Sequence, residues 1–170
     1  MMRARWMLGA LGALALALVP AAQAASAPAD AGFETEITSS ADGSRWAVFG
    51  DPVIKTVPFG AFGATEKWII ARQYDGSVTI RNKRTNQCAE ANMWSARSVF
   101  VAPCAYGKQD QRWILEWRPA GVSIAPLIAK DMTVSVRDLH HPMGSWLTLE
   151  SRGFGQTDSV STGSVFRLNG

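Results

Sequence analysis

Cysteine and histidine are scarce in this chain. Of its 170 residues only Cys88 and Cys104 are cysteines, sixteen positions apart, and only His140 and His141 are histidines. That spacing lacks the Cys-x-x-Cys pattern of zinc sites, and an isolated histidine pair does not complete a ligand set, so no metal or cofactor is expected. Motifs of catalysis are missing too: there is no Gly-x-Ser-x-Gly, His-Glu-x-x-His, phosphate loop or Ser/His/Asp context, and no enzyme activity is expected. Charge of one sign is lacking. Basic residues are scattered apart from "RNKR" at Arg81 to Arg84, which argues against a nucleic-acid-binding face. No window beyond the N-terminus keeps a 3.6-residue period for three turns, which argues against a helical fold.

A long apolar run is also absent. The unbroken stretch from Met7 to Val19 is thirteen residues, whereas a spanning helix needs about 20. It follows Arg3 and Arg5 and is broken by Pro20 before the small-x-small site Ala22-Gln23-Ala24. Residues 1–24 therefore read as a secretory signal peptide, and no cysteine lies beside the cleavage site to carry a lipid. Residues 25–31, within "ASAPADAG", read as a flexible leader. Cleavage near Ala24 would release a secreted or periplasmic chain with 15 basic and 14 acidic residues. In an oxidising compartment Cys88 and Cys104 are expected to form a disulfide worth about 3 kcal/mol, the alternative being two separately buried thiols.

What the sequence does contain is alternation. "SVTIRN", "SVFVAPC", "RWILEW", "GVSIAP", "MTVSVRD" and "SWLTLES" alternate apolar with polar residues, and Gly, Pro, Asp and Asn lie between them. Short strands at regular spacing predict an all-β barrel or sandwich. A repeat separates the two. Trp68 precedes Gly76 by eight residues, Trp113 precedes Gly121 by eight, and both pairs are offset by 45. "VPFGAFGATEKW" (Val57 to Trp68) aligns with "APCAYGKQDQRW" (Ala102 to Trp113), and the third unit ends on Phe166 where the tryptophan stood. Units of roughly 32–75, 76–120 and 121–170, with four strands each, predict a single β-trefoil over 32–170. Trp68, Trp113 and Phe166 would plug it, and the two glycines would serve equivalent tight turns.

The second unit resembles a ricin-type lectin repeat. Gly76, Ile80, Asn82, Cys88, Cys104 and Gln111-Arg112-Trp113 stand at that family's signature positions. The resemblance implies a sugar pocket built from an acid two residues after the first cysteine, a stacking ring two before the second, and a polar residue before the Gln-x-Trp glutamine. These positions are Glu90, Ala102 and Asp110. The acid and the polar group are present and the ring is missing. Trp94 could supply a ring from the following loop or be an ordinary half-buried tryptophan, and Asn92 is a side contributor. Glu90 and Asp110 read equally as solvated surface acids. In the first unit the acid and ring positions are expected at Val48 and Val57, and in the third the acid falls near Ser135, so at most one sugar site is expected.

The signal, leader, single trefoil and eroded Gln-x-Trp units resemble the A and C subunits of cytolethal distending toxin. The short leader and missing anchor cysteine depart from the A-subunit pattern, so both subunits stay open. That resemblance implies a noncatalytic secreted subunit with a nuclease-type catalytic partner, a second trefoil partner, and a glycan or peripheral lipid contact on a host membrane. Phe49 and Phe62 are the candidate interface residues. Trp46 and Phe59 are expected at the cysteine-equivalent positions of the first unit, packed on each other. A free-standing lectin is the alternative, and an inhibitor projecting "GFGQTDSVSTG" is a third reading.

Overall fold

The computed structural model describes residues 32–50, 52–58, 63–94, 97–152 and 162–170. The expected signal peptide and leader, Phe59, Phe62 and most of "GFGQTDSVSTG" lie outside them. Twelve strands follow in chain order: β1 (Phe33–Ser39), β2 (Arg45–Val48), β3 (Ile54–Val57), β4 (Lys67–Arg72), β5 (Val78–Asn82), β6 (Gln87–Asn92), β7 (Ser98–Pro103), β8 (Trp113–Arg118), β9 (Gly121–Pro126), β10 (Met132–Val136), β11 (Ser145–Ser151) and β12 (Phe166–Asn169).

The pairing forms a closed ring and a cap. The first and last strands of each group of four pair antiparallel in the cycle β1–β4–β5–β8–β9–β12–β1. Closure leaves the six-stranded barrel without an edge. The middle strands form the hairpins β2–β3, β6–β7 and β10–β11. These meet one another through β11–β3, β11–β7 and a Val53–Phe100 bridge. A six-stranded barrel capped by three hairpins is a β-trefoil, as the 45-residue offset predicts.

The register shows the pseudo-threefold directly. Thr35 pairs with Trp68, Val78 with Trp113, and Val122 with Phe166, so the three plugs occupy equivalent places. All three are fully buried, together with Ile37, Ile80 and Ile124 on the strands they pair with. The Trp68 indole N–H donates to the Trp46 carbonyl at 2.9 Å and that of Trp113 to the Ala89 carbonyl at 3.1 Å, while Phe166 has no such donor.

These bonds correct the alignment of the first unit. Trp46 matches Ala89, one residue after Cys88, and Arg45 takes the place of the cysteine: Thr38 pairs with Arg45 as Arg81 pairs with Cys88. Trp46 is a fourth core ring. It meets Trp68 edge-on at 6.1 Å between centroids and Phe166 at 5.3 Å. Strand alternation turns Trp46 inward to make this contact; the expected partner Phe59 lies outside the described residues. Arg45 instead bonds Glu36 at 2.7 Å and lies 3.6 Å from buried Glu66, so ions stand where the second unit has a disulfide. Gly76 and Gly121, expected to be equivalent, also differ. Gly76 sits in an open turn, whereas Gly121 begins β9 against the Phe166 carbonyl.

Two aspartates lock loops onto this frame. Asp75 Oδ1 accepts from the Ser77 amide (3.0 Å) and hydroxyl (2.7 Å) and from Arg112 at 2.6 Å. Arg112 is nearly buried and also donates to Ser77 Oγ at 2.8 Å, so the middle residue of Gln-Arg-Trp ties β8 to the β4–β5 turn. Asp42 Oδ1 makes the same turn with Ser44, and Oδ2 accepts from the His140 amide at 3.0 Å. Burial acts to raise the Asp42 carboxyl, but hydrogen bonds from Ser44, His140 and Ser39 outweigh it and hold the group below its ordinary 3.8. At Asp75 the Ser77 hydroxyl and amide, then Arg112, do the same. Both groups hold protons more tightly in the unfolded chain. The stability they contribute is therefore present above pH 3.8 and lost as pH falls through their lower folded values. Asp42→Asn with Asp75→Asn is expected to flatten the acid limb of a stability–pH curve followed by tryptophan fluorescence. An unchanged limb would assign acid unfolding to other groups.

Candidate functional site

The second hairpin cap carries the lectin-like residues. Along β6, Ala89 and Ala91 face the core and Glu90 faces outward across from Phe100 on β7. The Cys88–Cys104 disulfide is formed, with Cα atoms 5.0 Å apart. It anchors the chain where β7 ends, and the segment beyond it turns through Lys108 into a 3₁₀ turn at Gln109–Gln111 that packs over β6.

That turn brings Gln111 onto Glu90. The Gln111 amide nitrogen donates to Glu90 Oε2 at 2.8 Å and to the Pro103 carbonyl at 2.9 Å, and its oxygen accepts from the Ala105 amide at 2.9 Å. Gln111 is buried, and three bonds fix its orientation. Lys108 Nζ sits on the other carboxylate oxygen, Glu90 Oε1, at 2.6 Å. Glu90 is 7% exposed, so it is an engaged group and not a solvated surface acid. Its carboxylate has about four lone-pair sites, two of which these partners use. Gln111 is immobile, but Lys108 keeps 40% of its side chain in solvent against 9% for Glu90, so of the partners on this carboxylate it is the one that a competing donor can move aside.

The remaining predicted residues are placed less tightly. Asp110 is half-buried in the 3₁₀ turn beside Gln111. Asn92 ends β6, and its Oδ1 accepts from the Trp94 amide at 3.0 Å. Trp94 is 98% exposed at the hairpin tip, not the half-buried ring of the bland alternative. Ala102, at the ring position, pairs with Cys88 and offers no stacking face. Sequence reasoning missed Lys108 and Phe100. Lys108 was legible only as a basic residue near Gln111, and Phe100 lies two positions before the expected ring.

In the first unit the register puts Ala47, not Val48, at the acid position: Ala47 pairs with Lys55 as Glu90 pairs with Phe100. Alanine accepts no hydroxyl either, so the loss of that site stands for a different residue. Ser135 is buried in β10 opposite Thr148. Phe49 is 37% exposed at the end of β2. His140 and His141 are exposed and line a cleft of about 470 Å³ with Asp42, Asp138 and Ser145. Among the described residues no group of three His, Cys, Asp or Glu side chains is arranged to hold a metal ion, and no helix is long and apolar enough to cross a membrane.

No family profile and no curated protein matches the sequence. Solved structures do match by shape. A designed threefold-symmetric protein, ThreeFoil, is 14% identical with a TM-score of 0.68, covering 81% of this chain and 98% of that one. The Haemophilus ducreyi cytolethal distending toxin is 14% identical with a TM-score of 0.65, covering 80% and 82%. The Macrolepiota procera ricin B-like lectin, in complex with lactose, is 11% identical with a TM-score of 0.64, covering 84% and 99%. At these identities the likeness establishes the fold, the β-trefoil shared with ricin B-like lectins and a cytolethal distending toxin chain.

Proposed function

We propose that this β-trefoil is a noncatalytic, secreted binding subunit of a cytolethal distending toxin-like assembly, which engages a partner subunit and a host-surface glycan or lipid. The observation that carries the reading is the asymmetry among the three units. Only the second has a carboxylate at the acid position, and that carboxylate is fixed by Gln111 and covered by Lys108. Avidity in lectins comes from several sites on one body. A chain with one partly covered site gains more from being held in an assembly than from binding glycans alone. The partners would be a nuclease-type catalytic subunit and a second trefoil subunit, and Phe49, together with Phe62, is the proposed contact. The fold likeness to the Haemophilus ducreyi toxin and to lectins supports the reading at the level of architecture.

A free-standing carbohydrate-binding lectin is the second reading, favoured by the preformed Glu90–Gln111 pair. The two are separated by pull-down of the tagged, processed chain from its native secretion fluid, read by mass spectrometry. Co-purification of a secreted nuclease supports the assembly, and recovery of the chain alone with millimolar-to-micromolar galactose binding supports the lectin. In either case Glu90→Ala is expected to abolish binding of neutral galactosides. It also strands the buried Gln111 amide, at about 1–3 kcal/mol of stability. Lys108→Ala is expected to keep binding, because it only uncovers the acid. Loss of galactoside binding in Lys108→Ala with Glu90→Ala unaffected would move the site elsewhere.

A further inference from the structure

The hairpin cap has an outward face to which all three units contribute. Trp146 lies beside Lys55 where β11 meets β3, Thr148 beside Ser98 where β11 meets β7, and Val53 beside Phe100 at the bridge. Directly paired residues project to one side of a sheet, and alternate residues share that side. Burial agrees: Ser145, Leu147 and Leu149 are buried while Trp146 is 45% exposed, and Val99 and Val101 are buried between half-exposed Ser98 and Phe100.

At this face a cation is already held. The Lys55 ammonium sits 4.4 Å from the Phe49 ring centroid and 4.7 Å from that of Trp146. No carboxylate of a described residue lies within 4.0 Å of it. Two rings fix the position of a charge that has no carboxylate partner among the described residues, so the ordering of its flexible stem is largely met before any ligand arrives. The exposed part of Trp146 offers apolar area to the C–H face of a sugar ring, while Phe49, the proposed partner contact, serves here only to hold Lys55 in place. Thr148 and Ser98 add hydroxyls on the same side.

We infer that this face is a second glycan site, specific for a terminal sugar that carries a carboxylate. The carboxylate seats on Lys55 through a charge-assisted hydrogen bond, and the apolar side of the sugar rests on Trp146. The scale fits a monosaccharide. A protein partner would need about 800 Å² of matched surface, whereas the apolar area here amounts to parts of a few side chains, Trp146, Phe49, Phe100 and Val53, on a face that carries one cation. The inference shares with the proposed function the premise that the chain binds sugars, but its ligand contacts, Lys55 and Trp146, lie on β3 and β11 and are not among the partners of Glu90.

The test uses the intact secreted chain titrated by heteronuclear NMR with the methyl glycosides of glucuronic acid, N-acetylneuraminic acid and, as the uncharged counterpart, glucose. The acidic glycosides are expected to shift the Trp146 indole resonance at concentrations about tenfold below methyl glucoside. Lys55→Gln, whose thermal midpoint is expected to match the parent chain, should erase that preference, and Glu90→Gln should leave it intact. Equal response to charged and neutral glycosides, absence of any response, or retention of the preference in Lys55→Gln would overturn the inference. So would binding confined to phosphatidylserine vesicles, which would make the face a lipid contact. If Glu90→Gln alone removes acidic-sugar binding, the ligand sits in the Glu90 pocket, and the inference fails while the proposed function stands.

Discussion

Trp113→Ala is expected to lower the stability of the domain by about 3–5 kcal/mol, the range for deleting a large aromatic side chain from a core. The ring is fully buried at the centre of the barrel, and its N–H is the donor to the Ala89 carbonyl. The substitution leaves a cavity that the closed barrel cannot collapse to fill. For a domain of this size each kcal/mol moves the melting midpoint by about 2–4 °C, so a fall of about 10 °C is anticipated by calorimetry. Two milder variants separate ring from hydrogen bond. Trp113→Phe keeps a plug of the kind Phe166 provides and loses the donor. Trp46→Phe removes an indole N–H that has no acceptor among the described residues. Trp46→Phe should therefore cost less than Trp113→Phe in urea denaturation. The opposite order would mean that ring volume, and not the Trp113–Ala89 bond, sets the cost at these positions.

Gly121→Ala is expected to be comparably severe, at about 2–6 kcal/mol from backbone strain and overpacking together. Gly121 has φ +145°, and an added Cβ would lie 2.3 Å from the Phe166 carbonyl oxygen and 3.1 Å from a Val165 methyl. Both obstacles belong to the junction where β9 pairs with β12 and closes the barrel, so relief requires moving that seam. Gly76→Ala is the control. Its φ is +81°, but nothing lies within 4 Å of the added atom, and the cost should be the backbone term alone, about 1–2 kcal/mol. Soluble yield and denaturation midpoints of the pair provide the check. Equal losses would show that conformation and not the Phe166 contact governs both sites.

These two cases also show where sequence reading succeeds and where it stops. The Trp68–Trp113–Phe166 plugs were legible because a core position repeats at the period of the unit and aromatic residues stand out. Trp46 was not, because the first unit is two residues shorter between its second strand and its last. The 45-residue offset of the tryptophans therefore does not hold on β2, where the register gives 43 from Arg45 to Cys88, and placing Trp46 at the cysteine position is one residue out. A one-residue slip reverses inward and outward faces in a strand, which is why Val48 was named where Ala47 stands and why Trp46 was sent to a cysteine position. Glu90 and Gln111 were legible from their spacing to Cys88 and Trp113. That they bond each other, and that Lys108 covers the acid, follows from a 3₁₀ turn folding back over β6.

By itself the amino-acid order determined the class of fold, the number of units and the three equivalent plugs, since each is written in local periodicity and in spacing within one unit. Only the closed structure decided the surface around Lys55. Phe49 and Lys55 come from the first unit, Phe100 from the second and Trp146 from the third, and they share a face because three hairpins meet at one end of a barrel. Contacts between units obey no short sequence period, so proximity at that meeting point exists only once the ring of strands has closed.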